Sequence, residues 1–154
     1  MKFSDFINVA AIKADLNADD KPTVIRELVD SLAAAGAIAE NDVPGIVSAI
    51  MKREELGSTG IGRGVAVPHT KHASVERLVG TVGVSSEGVD FNSLDGDKVQ
   101  LLFLLVSPPD RPGDHLRALE NVVRCMRDDS FVRALRDAPD REAIWKLLDQ
   151  SSGM

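Results

Sequence analysis

The chain has 154 residues, a formal net charge of −6 and 44% hydrophobic residues. That size predicts one domain, residues 1–150, with 151–154 as a frayed tail. The acidic balance and the absence of tyrosine argue against a nucleic-acid binder, which needs a basic face or stacking aromatics.

No run of 18 apolar residues occurs, so no membrane insertion is expected. Met1-Lys2-Phe3-Ser4-Asp5 lacks the apolar region of a signal peptide, and a cytoplasmic location is the expectation. The single cysteine, Cys125, excludes an internal disulfide. It lies in a helical pattern and reads as a small packing residue. No Cys/His cluster has zinc spacing, so no metal is expected.

In chain order, residues 3–7 predict a short helical turn and 11–14 a short edge strand. Asp20 caps a helix with Pro22 in its first turn. Val24, Ile25, Leu28, Val29 and Leu32 form its apolar stripe, and Gly36 ends it. A second helix starts near Asn41 or Asp42, buries Val43, Ile46, Val47, Ile50 and Met51, and stops at Gly57.

A glycine-rich loop follows, Gly57-Ser58-Thr59-Gly60-Ile61-Gly62-Arg63-Gly64, then a strand at 65–67 and Pro68-His69. Glycines of this density allow close backbone approach or positive φ. Pro68 has no N–H for a sheet and holds Val67 extended. The expected picture is a histidine presented at a strand's end. Residues 77–84 predict another strand, with glycines marking close packing or a bulge. Ser85–Gly88 and Leu94–Asp97 predict turns. Val99–Val106 is nearly all apolar and reads as a central strand buried on both faces, which requires helices above and below it. A loop at 107–114 leads to a helix from about His115, with Asp114 as cap and Leu116, Leu119, Val122, Val123 and Met126 on one face. Two shorter helices follow, around Phe131–Leu135 and Ala143–Leu148. The order predicts a three-layer α/β/α sandwich.

Only three histidines are present, His69, His72 and His115. His69 and His115 both follow strands, where α/β sheets gather ligand sites. A histidine pair with an arginine suits phosphoryl transfer. A neutral imidazole nitrogen is a good nucleophile near neutral pH, and the phosphoryl group needs positioning and charge stabilisation. Arg53 offers planar donors to phosphate oxygens. His115 at a helix N-terminus sits where anions are favoured, and the loop amides of Gly57, Ser58, Thr59 and Gly60 are candidate phosphate support. Against these readings, Arg53 lies in a charged helix end, and Ser58 and Thr59 also suit a plain turn. His72 follows Lys71 and reads as solvated. The loop lacks the Gly-Lys-Ser/Thr of a P-loop and the dinucleotide Gly pattern, so nucleotide binding is disfavoured.

Leu56-Gly57-Ser58-Thr59-Gly60-Ile61-Gly62 through Val65-Ala66-Val67-Pro68-His69 resembles the phosphorylation-site motif of fructose/mannitol-type enzyme IIA domains of the phosphoenolpyruvate-dependent phosphotransferase system. The nitrogen-regulatory IIA branch looks especially similar. The resemblance spans nearly the whole chain, including Asp114-His115-Leu116. It implies the α/β/α sandwich with a mixed sheet shared by phosphotransferase and anion-transport proteins. It implies His69 as phospho-acceptor, His115 as the second active-site histidine and Arg53 facing the phosphate. It implies an HPr-type carrier as donor and a IIB component as acceptor, or regulatory target proteins instead, with no cofactor. A glycine often follows the active histidine in this family, whereas Thr70 stands here. Two roles stay open, a sugar-transport phosphocarrier and a regulatory phosphoprotein. A third, a fold relative without chemistry like the cytoplasmic domains of anion exchangers, is disfavoured by the intact His69, His115 and Arg53.

Overall fold

The computed structural model describes residues 1–151. Of the expected tail at 151–154, residues 152–154 lie outside the described residues, and Ser151 instead closes the last helix. One strand organises the rest. Strand β5 (Val99–Ser107) pairs on one side with β2 (Val65–Ala66) and β3 (His69–Lys71), both parallel, and on the other with β4 (Val79–Val89), antiparallel. The short strand β1 (Gly60–Gly62) adds antiparallel to β2. The sheet is therefore mixed.

Alternation along β5 divides the core. Leu101, Phe103 and Leu105 face one layer, and Leu102, Leu104 and Val106 face the other; all six are fully buried. The second set packs on helices α1 (Lys21–Ala34) and α2 (Val43–Glu55). The first packs on α3 (Pro112–Cys125), α4 (Asp129–Asp137), α5 (Arg141–Ser151) and the N-terminal Phe3 and Phe6. This is the α/β/α sandwich the apolar strand required. Truncating a residue such as Phe103 in this double-sided core is expected to cost about 3–5 kcal/mol.

The leading helices form where their sequence signals put them. The Asp20 carboxylate accepts the Thr23 N–H at 2.9 Å, capping α1, and Pro22 fits the first turn because its missing N–H has no helical partner there. Val24, Ile25, Leu28, Val29 and Leu32 are all fully buried. The glycines of β4 mark close packing: a Cβ on Gly80 would lie 2.9 Å from the Leu104 carbonyl oxygen.

Elsewhere the chain departs from the expectations. Residues 11–14 do not form a strand; Lys13 makes a single parallel bridge to Gly83, beyond a short 3-10 turn at Val9–Ala11. Ser85–Gly88 is not a turn but the irregular end of β4, whose register with β5 shifts between Val84 and Val89. Helix α3 begins at Pro112, not at His115, and Asp114 lies in its first turn without capping it. Its buried face is His115, Ala118, Asn121 and Val122, so Leu116 is 57% exposed. The reason is local: His115 occupies an inward position, and polar Asn121 is buried with it, displacing the apolar stripe. Among the described residues no helix is long and apolar enough to cross a membrane.

Candidate functional site

The strand expected at 65–67 breaks after Ala66 and resumes at His69. The break does not change register. Val65 and Ala66 pair with Leu101 and Leu102, and His69, Thr70 and Lys71 pair with Leu105, Val106 and Ser107. Pro68 causes it, since it has no N–H to donate to β5, while its carbonyl still accepts from the Leu105 N–H at 3.0 Å. His69 thus opens a strand instead of closing one. Being paired with Leu105, its side chain projects from the same face as Leu105, towards α3.

The Val67 carbonyl at the break is 2.6 Å from His69 Nδ1. A carbonyl only accepts, so Nδ1 carries the proton and donates it. The neutral ring then has its lone pair on Nε2. Burial lowers the His69 pKa below the ordinary histidine value. The Val67 carbonyl works against this, the Arg53 charge adds to it, and the Glu54 carboxylate opposes it. The net direction keeps the ring neutral and nucleophilic.

His115, from the first turns of α3, stands opposite. The two ring centroids are 5.3 Å apart with planes inclined at 58°. His115 is 7% exposed. Its backbone N–H is committed to the Arg111 carbonyl at 3.3 Å, so its side chain is what it offers the site. Its Nδ1 lies 2.5 Å from Ser107 Oγ at the end of β5. Burial, and then the positive charges available to His69 and Lys71, push its pKa down to about 4.

Arg53 comes from the other layer. It sits in the last turn of α2, and its Nη1 donates to the Gly57 carbonyl at 3.0 Å. A guanidinium has five N–H donors, so this bond fixes one edge of a group whose charge reaches His69. The site lies at the sheet edge, where the strand break admits side chains from both helical layers.

The glycine run is a hairpin, not a loop. Strands β1 and β2 pair around a tip in which Gly62, Arg63 and Gly64 all have positive φ, at 91°, 61° and 77°. Arg63 is held in that unfavourable region by its N–H to Asp95 Oδ2 (3.2 Å), by Nη1 to the Arg127 carbonyl (2.7 Å) and by an ion pair with Asp129. Three of the four amides proposed as phosphate support are bonded within the chain. The Gly57 N–H goes to the Glu54 carbonyl, the Thr59 N–H to the Glu54 carboxylate and the Gly60 N–H to Ser58 Oγ. The Ser58 hydroxyl donates to the Phe91 carbonyl, and the Thr59 hydroxyl to Glu54. The hairpin contributes shape: it carries Gly57 to Arg53, and the Thr59 carbonyl holds the Val67 N–H at 3.0 Å.

Glu54 is the residue that sequence reading passed over. It is only 6% exposed, and its carboxylate binds Thr59 twice and Lys21 Nζ at 3.0 Å. The signal was available: Ile46, Ile50 and Glu54 lie four apart, on one face of α2. His72 does not join the site. Its Nδ1 accepts from the Ser74 N–H and faces the Ser74 hydroxyl, and its Nε2 lies against Gly45 of α2. Nor is it fully solvated; it is half-buried. Burial pushes the Cys125 thiol up, as suits a packing residue. Among the described residues no group of three or more His, Cys, Asp or Glu side chains is gathered as for a metal ion.

Comparison with known proteins bears on the family and the fold. The family model for the phosphoenolpyruvate-dependent sugar phosphotransferase system, EIIA 2, matches residues 5–151. A nitrogen regulatory protein of Bradyrhizobium diazoefficiens is 33% identical over 148 residues, covering 96% of this chain and 95% of the relative. The fructose-specific EIIABC component of Bacillus subtilis is 34% identical over 150 residues, 97% of this chain but 23% of that longer protein. Among solved structures, the nitrogen regulatory protein IIA-Ntr from Neisseria meningitidis superposes with a TM-score of 0.85 at 29% identity, covering 95% of this chain and 98% of that one. The IIA mannitol domain from Escherichia coli shares the fold, with a TM-score of 0.76 at 22% identity.

Proposed function

The chain belongs to the EIIA 2 family of the phosphoenolpyruvate-dependent sugar phosphotransferase system, and from that we propose that it is a phosphoryl carrier working through His69 Nε2. The observation that carries the reading is the bond from His69 Nδ1–H to the Val67 carbonyl. It leaves the other ring nitrogen as the nucleophile and aligns the ring at the mouth of the strand break.

The donor is a phosphohistidine on an HPr-type carrier. The Nε2 lone pair of His69 attacks phosphorus, and the bond from phosphorus to the donor's imidazole nitrogen breaks. That nitrogen departs with the electron pair. As the His69 ring gains positive charge, its Nδ1–H bond to Val67 strengthens, because a charged donor makes a stronger bond to a carbonyl. Charge on the transferring oxygens is met by Arg53 and by a ring N–H of His115. Transfer onward, to a IIB component, runs the same step in reverse.

Two roles follow from one chemistry. In one, the phosphoryl group goes to a sugar. In the other, the phosphorylated or bare state of His69 controls a partner protein. The regulatory role is favoured by end-to-end likeness to proteins named nitrogen regulatory. The test is incubation with phosphoenolpyruvate, enzyme I and the carrier, with and without a purified IIB component. Wild type is expected to take up one acid-labile phosphoryl group and His69→Ala none. Equal uptake by both would remove His69 from the role. Rapid discharge to IIB supports transport; retention supports regulation.

A further inference from the structure

The strand-ending serine of β5 has no place in the mechanism above, yet it touches one of its two histidines. Ser107 is fully buried. Its carbonyl accepts the His72 N–H at 2.8 Å, and its hydroxyl faces His115 Nδ1 at 2.5 Å. It is also the direct cross-strand neighbour of Lys71. Among the described residues no other hydrogen-bond partner of the Ser107 hydroxyl is found.

That contact can be made in two ways. In the first, Ser107 Oγ–H donates to Nδ1, and the neutral His115 ring carries its proton on Nε2. In the second, Nδ1–H donates to the oxygen of Ser107, and Nε2 bears a lone pair. The second arrangement leaves the buried hydroxyl proton without an acceptor, which is unfavourable away from water. It would also aim a lone pair, not a donor, from the side of the ring that Ser107 does not hold. The first arrangement satisfies every group.

Protonation does not offer an easy alternative. The ring is enclosed, and Lys71, with any charge that His69 takes up, disfavours a positive charge on it. A neutral ring must therefore supply its N–H through the correct tautomer.

We propose that Ser107 is a positioning residue that donates to His115 Nδ1 and so fixes the Nε2–H tautomer, making neutral His115 a hydrogen-bond donor to the phosphoryl group on His69. The two rings are then set in opposite senses by two neighbours. An acceptor, the Val67 carbonyl, makes His69 a nucleophile at Nε2. A donor, the Ser107 hydroxyl, makes His115 an electrophilic partner at Nε2. The inference rests on the phosphocarrier reading only for what the His115 N–H is used for; the tautomer itself belongs to the resting protein.

The test is a long-range proton–nitrogen correlation spectrum of the unphosphorylated full chain, with imidazole nitrogens labelled. Wild type is expected to show His115 with a pyrrole-type Nε2 and a pyridine-type Nδ1 at pH 7. The reverse pattern in wild type overturns the proposal with no variant needed. Ser107→Ala is expected to mix the two tautomers and slow phosphoryl uptake roughly 10-fold, less than the 10²–10³ lost when such a donor is removed outright. Ser107→Thr, which keeps the hydroxyl, is expected to restore both. An alanine variant that folds, keeps the wild-type tautomer and transfers at the wild-type rate also overturns it. If no variant or wild type takes up phosphoryl at His69, the phosphocarrier reading fails while the resting tautomer still decides the role of Ser107.

Discussion

The glycine hairpin and the histidine pair lie side by side, and both are rich in polar groups, but they use them differently. In the hairpin the polar groups close on one another. Thr59 and Lys21 converge on Glu54, Ser58 bridges Phe91 and Gly60, and Arg63 ties the tip to Asp95, Arg127 and Asp129. In the pair each ring commits Nδ1 to a neighbour, Val67 or Ser107. Chemistry needs atoms that folding has oriented but not consumed. The comparison therefore reads the hairpin as scaffolding and supports the proposed role of the histidines in the reaction. Arg53 is the join, with one N–H on the hairpin and its charge at His69.

The sharpest way to break this contrast is at Glu54. Glu54→Ala would leave Lys21, which is mostly buried beside it, and Thr59 without their partner. The expected loss is about 3–5 kcal/mol of stability, read as a lowered denaturant midpoint. A midpoint unchanged within error would mean the hairpin does not depend on its clamp. Arg53→Ala should do the opposite: slow phosphoryl uptake roughly 10- to 1,000-fold while costing under about 1 kcal/mol of stability. A variant that transfers normally would take Arg53 out of the site.

Acid should act on the pair. Both histidines have folded pKa values below the ordinary 6.5, His115 at about 4. The unfolded chain therefore binds protons first as pH falls. Stability from the neutral rings is fully present above about pH 6.5 and is lost as pH drops towards 4. For the coupled pair this amounts to a few kcal/mol at most. Unfolding curves between pH 7 and pH 4.5 check it, and a His115→Asn chain should show a shallower slope. The smallest effect is expected at His72. His72→Ala removes bonds to Ser74, costing about 0.5–1.5 kcal/mol and leaving transfer within about twofold. A large loss of transfer would bring His72 back into the site.

Much of this was legible in the sequence where one physical rule acts alone. The capped stripe of α1, the doubly buried β5 and the interruption of the strand by Pro68 each follow from periodicity or from a missing N–H, although the strand's resumption at His69 does not. The three-layer fold followed from β5, since a strand apolar on both faces needs cover on both. What stayed hidden depended on partners distant in sequence. The inward Thr59 and Gly60 amides depend on Glu54 and Ser58, and Ser107 acquires meaning only when α3 turns His115 towards it. The rotation of α3 was missed because Leu116 and Leu119 fit a stripe that buried His115 and Asn121 displaced.

The account turns on which nitrogen of which histidine receives the phosphoryl group. That is measured by phosphorylating nitrogen-labelled protein through the carrier and recording one long-range proton–nitrogen correlation spectrum. The prediction is a single phosphoryl group on His69 Nε2, with Nδ1 still protonated against Val67. Phosphorus bonded to His69 Nδ1, or to either ring nitrogen of His115 or His72, would contradict it.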